Sequence, residues 1–349
     1  MATLGEDEAT MSDNEKASVT PAATADAAPA VDPLAELEQL RLKAISSQKI
    51  RNGVFLVCAV AVIVCGVGVF PYGIALGIVV AATASLFAVA VFAASAKSNF
   101  AKRFKEEIVA ATIKSLIPDA RYTPNRGISK ETIADTGMMK MGNVFESEDL
   151  VEATLSGVSF KQSDVTIIRR THGGEDGSNE VTLFGGRWIV FDGFNKEFTG
   201  DTLVFGKGFD TAKSGSSIFN AQHNRRHKIE LEDAMFNERF SVYTNDDHEA
   251  YYILTPQVMR SLLKIDTALS SRIILCFVAH QVHVGLNREA DSFEPKMNVP
   301  IAQQAAKSPV TYDLLLVRAF MEALQIDHKI FDTYEPAKGK SEQESGNPA

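Results

Sequence analysis

The chain has 349 residues, and its 35 Lys and Arg against 44 Asp and Glu leave a formal charge of −9. That balance argues against nucleic acid as a partner, because a nucleic-acid binder needs a basic face to neutralise phosphates. Three cysteines cannot build a disulfide framework. Cys58 and Cys65 fall in an apolar run and Cys276 in a strand-like stretch, so all three read as small buried hydrophobes.

Residues 1–32 are rich in Ala, Thr, Ser, Pro, Asp and Glu, and Lys16 is their only basic residue. A secretory signal needs a basic start followed directly by an apolar core, which this stretch lacks. It reads as a disordered acidic tail. Residues 33–53 place Leu34, Leu37, Leu40, Leu42 and Ile45 at near-helical spacing and predict a juxtamembrane helix.

Residues 54–94 predict a two-helix transmembrane hairpin. Val54 to Phe70 and Ile74 to Ala94 are apolar and carry no charge, with Phe70-Pro71-Tyr72-Gly73 between them. A helix of about 20 residues crosses the roughly 30 Å hydrocarbon core of a bilayer. Arg41, Lys43, Lys49 and Arg51 precede the first run, and Lys97, Lys102, Arg103 and Lys105 follow the second. Basic flanks on both sides of the hairpin and an uncharged connector put both termini in the cytoplasm. Pro-Tyr-Gly predicts a tight turn. Gly73, Gly77, Ala81 and Ser85 form one small-residue stripe, and Cys58, Ala61, Cys65 and Gly68 another. Such stripes let helix backbones approach closely, so the expectation is that they pack the two spans together. A homo-oligomer joined through Gly73-x-x-x-Gly77 is the sharper reading. With no ionisable residue in either run, a transport path through these helices is not expected.

Residues 95–117 predict an amphipathic helix with Phe100, Phe104, Ile108, Ala111 and Leu116 near one face, stopped by Pro118. From about Asp149 the period turns from helical to alternating. LVEATLSGVSF, SDVTIIRRT, EVTLFGGRWIVFD and TGDTLVFG read as strands, with a loop at Gly173 to Asn179 and a longer one at Lys207 to Arg226. HKIELED and ERFSVYT read as short strands around one helical turn, RIILCFVAHQVHVGLN as a hairpin or one bent strand, and Val310 to Ile326 as a last helix. Residues 118–334 are therefore expected to form a cytoplasmic α+β domain with a mainly antiparallel sheet and several helices, ahead of a disordered tail at 335–349.

The densest polar cluster is Asp246-Asp247-His248-Glu249. Asp246 stands three residues before Glu249, the spacing of a capping box, and both carboxylates suit the positive end of a helix dipole. Thr255-Pro256 repeats the device, with Thr as N-cap and Pro at the first helical position. These four, Asp246, Glu249, Thr255 and Pro256, are read as helix caps. The alternative is a metal or acid/base site at Asp247, His248 and Glu249. Adjacent helical residues point to different faces, which counts against it. His223-x-x-x-His227 has zinc spacing only on a helix and reads as loop; His280 and His283 fall on opposite faces of a regular strand. Gly206-Lys207-Gly208 lacks the rest of a dinucleotide loop, and no phosphate loop or nucleophile elbow occurs. Arg225, Arg226 and Lys228 read as a solvated basic loop or a contact to anionic headgroups.

Taken together, PDARYTP (Pro118 to Pro124), Ile128-Ser129, Glu148 to Val151, Phe184 to Trp188, Asp192 to Gly200 and Phe236 to Pro256 resemble an uncharacterised bacterial family of two-pass membrane proteins, a domain of unknown function. The specific element is F-x-V-Y-x-x-D-x-x-x-A-x-x-x-L-T-P at Phe240 to Pro256, and the likeness runs from about Val54 to Glu294. One departure is ESEDLVEATLSG, where a glycine is expected soon after Glu-Asp. The resemblance implies a bacterial inner-membrane protein with a cytoplasmic domain and implies no reaction. The function expected is a membrane-anchored interaction module that binds a protein partner or a lipid headgroup at the bilayer. A membrane-bound hydrolase or metal-dependent enzyme and a structural membrane oligomer are the alternatives. No catalytic, cofactor-binding or metal residue is assigned, and no cofactor is expected.

Overall fold

The structure is a computed structural model, and it describes residues 33–66, 71–172, 178–192, 197–209, 223–269, 272–288 and 293–326. The two terminal tails, most of the Gly173 to Asn179 loop and the middle of the Lys207 to Arg226 loop lie outside the described residues.

The chain begins with two long antiparallel helices, α1 (Pro33–Gly66) and α2 (Tyr72–Phe104). Each is about 50 Å long at 1.5 Å per residue. Glu36 meets Arg103 at 2.8 Å near one end, and the Cys58 thiol lies 3.5 Å from the Ala82 carbonyl further along. The juxtamembrane helix and the first apolar run are one helix, since no proline intervenes. Tyr72 and Gly73 are not a turn; they open α2, with Pro71 just before it. The middle of this hairpin is apolar and uncovered: Phe55 is 63% exposed, Leu56 65% and Phe87 74%. Both helices are long and apolar enough to cross a membrane.

The stripe of Gly73, Gly77, Ala81 and Ser85 does not seat the two helices on each other. A Cβ added at Gly73 or Gly77 would meet open space, and Ala81 and Ser85 are exposed. The face turned to α1 is Ala75, Ile78, Val79, Ala82, Leu86 and Val89, all half-buried, ending in buried Ala93. That face mixes alanines with larger aliphatics and lies away from the glycines of α2, and the Cys58 thiol at 3.5 Å from the Ala82 carbonyl marks where α1 meets its backbone.

Below the apolar stretch the hairpin enters the α+β domain. Leu37, Ala44, Phe100 and Phe104 are buried in the same core as the sheet. After Phe104 the helix widens into one π-helical turn, Lys105–Val109, and resumes as α3 (Ala110–Leu116). Ile117 is extended because the following Pro118 disfavours helical geometry there.

Among the described residues the sheet has nine strands: β1 (Arg121–Thr123), β2 (Val144–Leu155), β3 (Val158–His172), β4 (Ser178–Asp192), β5 (Thr202–Gly206), β6 (His227–Ile229), β7 (Phe240–Thr244), β8 (Arg272–Val278) and β9 (Gln281–Asn287). Their order is β1-β2-β3-β4-β9-β8-β5-β7-β6, and every pairing is antiparallel. LVEATLSGVSF is not one strand. It is the end of β2, a two-residue turn and the start of β3; Ser156 (φ 50°) and Gly157 (φ 82°) both take the left-handed geometry of a primed hairpin turn. Arg272 to Asn287 is a hairpin, β8 and β9, turning at Ala279 (φ 50°).

Short helices fill the connections: α4 (Lys130–Ala134), α5 (Ala234–Arg239), α6 (Asp247–Ile253), α7 (Pro256–Leu269), α8 (Ile301–Ala306) and α9 (Pro309–Leu324). β1, α4 and α8 carry too few residues for a period to show in sequence. One face of the sheet packs on the hairpin base and on α3, α5 and α7 to α9; the other packs on Ile133 of α4, Met138, Met139 and Phe209. Alternate residues therefore divide between two cores. Ile189 and Phe191 face one, Trp188 and Val190 the other.

His283 sits wholly inside the second core. The Trp188 indole N–H, which can only donate, points at His283 Nδ1 at 3.3 Å. Nδ1 therefore accepts, and Nε2–H donates to Gln281 Oε1 at 3.0 Å. Burial pushes the imidazole pKa down to about 3. The unfolded chain binds the proton near pH 6.5 and the folded chain does not, so stability falls as pH drops through 6.5 and goes on falling towards 3. The expected slope is about 1.4 kcal/mol per pH unit. Denaturant unfolding across this window checks it: His283→Gln, which does not titrate, flattens the curve by about that amount.

Candidate functional site: a lysine held among carboxylates

The site starts from a β-bulge. Between the pairs Glu148↔Asp164 and Val151↔Gln162, two residues of β2 (Asp149 and Leu150) oppose the single Ser163 of β3. Asp149 takes φ 60°. The glycine that the family resemblance led us to expect soon after Glu148-Asp149 is absent; Asp149 itself takes the left-handed position, and its N–H donates to the Pro124 carbonyl at 2.9 Å. A regular strand would turn Glu148 and Asp149 to opposite faces. The bulge brings both carboxylates to the face that receives the hairpin.

Lys105, first residue of the π turn, reaches this pair. Its Nζ lies 2.8 Å from Asp149 Oδ2, 3.3 Å from Glu148 Oε2 and 2.7 Å from Glu294 Oε1. Lys105 and Asp149 are buried, while Glu148 and Glu294 sit at the rim. Burial opposes the ammonium charge, but hydrogen bonds to Asp149 and Glu294 outweigh it, and the lysine pKa rises above its ordinary value. The Tyr122 hydroxyl donates to the other Asp149 oxygen at 2.5 Å. Burial and the Asp149 charge push the tyrosine pKa up, so it stays a donor.

A second charged group adjoins the first. Arg187 of β4 is buried, 2.9 Å from Asp313 of α9 and 3.2 Å from Asp164 of β3. Arg288 holds the other Asp313 oxygen at 2.5 Å. The Phe293 ring joins the two groups: Tyr122 stacks on it at 5.8 Å between centroids, and the Arg187 guanidinium lies 4.2 Å over it. Beside Arg187, the buried Gln162 amide and Arg187 Nε and Nη1 make no hydrogen bond among the described residues.

Chemically, the three carboxylates have the makings of a cation site, since one oxygen from each of Glu148, Asp149 and Glu294 lies within 4.8 Å of the others. The Lys105 ammonium sits against all three. It neutralises the cluster from within the chain, and a divalent ion would have to displace it. The arrangement therefore serves as an ion-pair clasp between α2 and the sheet. Sequence reasoning missed it because the members of the two adjoining groups span residues 105 to 313. The one local signal was the Glu148-Asp149 pair, soon after which a glycine was expected and is missing.

The residues singled out from sequence lie elsewhere. Asp246 is the N-cap of α6: its Oδ1 accepts from the Glu249 N–H at 3.1 Å, and its Oδ2 accepts from the Thr199 hydroxyl at 2.7 Å. These bonds hold its pKa below the usual carboxylate value. Glu249 Oε2 accepts from the Gly200 N–H at 2.9 Å and ties α6 to the segment before β5. Asp247 faces out and pairs with His227 at 2.7 Å, and His248 is exposed. Asp247, His248 and Glu249 thus point three ways. Thr255 Oγ1 accepts from the Val258 N–H at 3.3 Å, and Pro256 opens α7. His223 lies in a 3-10 turn and His227 begins β6, which gives them no shared helical face. Arg226 is not part of a solvated loop. It is buried, donating to the Thr136 and Gly137 carbonyls at 2.7 and 3.2 Å and lying 3.3 Å from Asp201, because the turn at residues 136–137 leaves carbonyls inside the second core.

Lys105→Met leaves Asp149 buried without its cation and is expected to cost about 3–5 kcal/mol in denaturant unfolding. Lys105→Met with Asp149→Asn recovers most of that loss, because asparagine tolerates the left-handed bulge and still accepts from Tyr122 while the unpaired buried charge is gone. Asp246→Ala lowers the melting temperature by several degrees, whereas Asp247→Asn and His248→Gln leave both melting temperature and bound metal unchanged.

No curated protein and no solved structure matches the chain. A domain of the family described as protein of unknown function (DUF3137) covers residues 182–326, from β4 through α9.

Proposed function

We propose that this protein is a membrane-anchored interaction module of a bacterial inner membrane, with both termini and the α+β domain on the cytoplasmic side. The observation that carries this reading is the continuity of α2. It runs unbroken from the uncovered apolar stretch to Phe104 in the domain core, and Lys105 then clasps the sheet. A domain joined to its anchor by a buried helix is held at a set height and orientation. That suits a platform for a partner at the membrane surface, and it differs from an enzyme on a flexible tether. The divergence of Asp247, His248 and Glu249 counts against a hydrolase or metal-enzyme reading centred on those three residues. A second reading, a structural oligomer, draws on the outward Gly73, Gly77, Ala81 and Ser85 stripe, which α1 leaves open.

The test is affinity capture of the full-length tagged protein from native membranes after mild cross-linking, against a control carrying the hairpin alone. The module reading expects a protein held by the full chain and lost from the control. Recovery of only the protein itself from both samples supports the oligomer and sinks the module.

A further inference from the structure

We propose that the hairpin carries a binding groove for one anionic phospholipid, with the lipid phosphate on Arg51 and an acyl chain between Phe55 and Phe87. This rests on the membrane reading above.

A groove of about 490 Å³ opens between α1 and α2 and is lined by Arg51, Asn52, Phe55, Leu86, Phe87 and Ala90. Its volume falls in the roughly 300–1,000 Å³ range of small-molecule sites. The polar groups lie together at one end. Arg51 stands one turn from Phe55 on the same helix face, and its Nε and Nη2 point to Asn52 Oδ1 at 3.4 and 3.3 Å. The Cys58–Ala82 contact sets the alignment of the helices, and from it Arg51 falls level with Val89 and Ala90. That is about 6 Å inside the end of the apolar run at Ala94, the depth from which an arginine extends its guanidinium to the phosphate layer. The other basic residues beside the hairpin differ. Arg41, Lys102, Arg103 and Lys105 each meet a carboxylate, whereas Arg51, like Lys43, Lys49 and Lys97, has none within ion-pair distance among the described residues, and of these four Arg51 alone lines the groove. A phosphodiester supplies the missing anion. The exposed Phe55 and Phe87 rings supply walls for a hydrocarbon chain at the depth where the chain begins. No such complementarity exists for a soluble anion, which would leave both rings without a partner.

Native mass spectrometry of the full-length protein in mild detergent tests this, with dioleoyl phosphatidylglycerol and dioleoyl phosphatidylcholine as competing probes. The wild type is expected to retain one phosphatidylglycerol with a several-fold preference. Arg51→Gln should bring the preference close to one to one, and Phe55→Ala with Phe87→Ala should reduce retention of both lipids. Unfolding curves matching the wild type show that each variant is folded. If Arg51→Gln keeps the wild-type preference while the protein still requires detergent, the groove proposal falls and the membrane reading stands. If the protein stays soluble without detergent, both fall.

Discussion

The clasp between the Lys105 ammonium and three carboxylates is the constraint on which the rest of the architecture depends. Burying a lysine and an aspartate takes two charges out of water, and each costs several kcal/mol unless the geometry repays it. Here three anions meet one cation, and Tyr122 satisfies the remaining Asp149 oxygen. The cluster forms only when the π turn, the β2 bulge and the segment carrying Glu294 are all in place. It is therefore specific to one register of the hairpin against the sheet. A purely apolar contact between α2 and β2 would tolerate sliding; this one does not.

The register matters because of what α2 connects. Its upper part is apolar and uncovered except along the face turned to α1, while its lower part is packed within the domain core. One continuous helix thus belongs to two surroundings, and the widened turn at Lys105–Val109 marks the change. Such a turn holds one extra residue, which rotates every following side chain relative to those before it. On both sides of the turn the apolar residues stay in one core: Phe100 and Phe104 before it, Ile108, Val109 and Ile113 within and after it.

Two features carry the second half of the domain. Arg187 and Arg288 converge on Asp313, fastening the last helix across β4 and the end of β9. Asp246 and Glu249 fasten α6 to the segment before β5 through Thr199 and Gly200. The domain match at residues 182–326 contains Arg187, Arg288, Glu294, Asp313, Asp246 and Glu249 but excludes Lys105, Tyr122, Asp149 and Asp164. The clasp thus joins residues on both sides of that boundary, which ties the N-terminal hairpin to the matched domain.

Local chemistry was legible in the sequence. The apolar runs, the α+β class, the capping geometry at Asp246 and Thr255, and the hairpin at β8 and β9 all depend on neighbours within a few residues, where spacing and residue type decide the outcome. Tertiary structure decided what depends on distant partners. It turned the glycine stripe of α2 outward and set the side carrying Ala75, Ala82 and Ala93 against α1. It buried Arg226, because the carbonyls of Thr136 and Gly137 needed a donor. It placed Asp149 in a left-handed bulge and set Lys105 against it. No pattern in one dimension encodes that meeting: its members are tens to hundreds of residues apart, and only the sheet order brings them to one face.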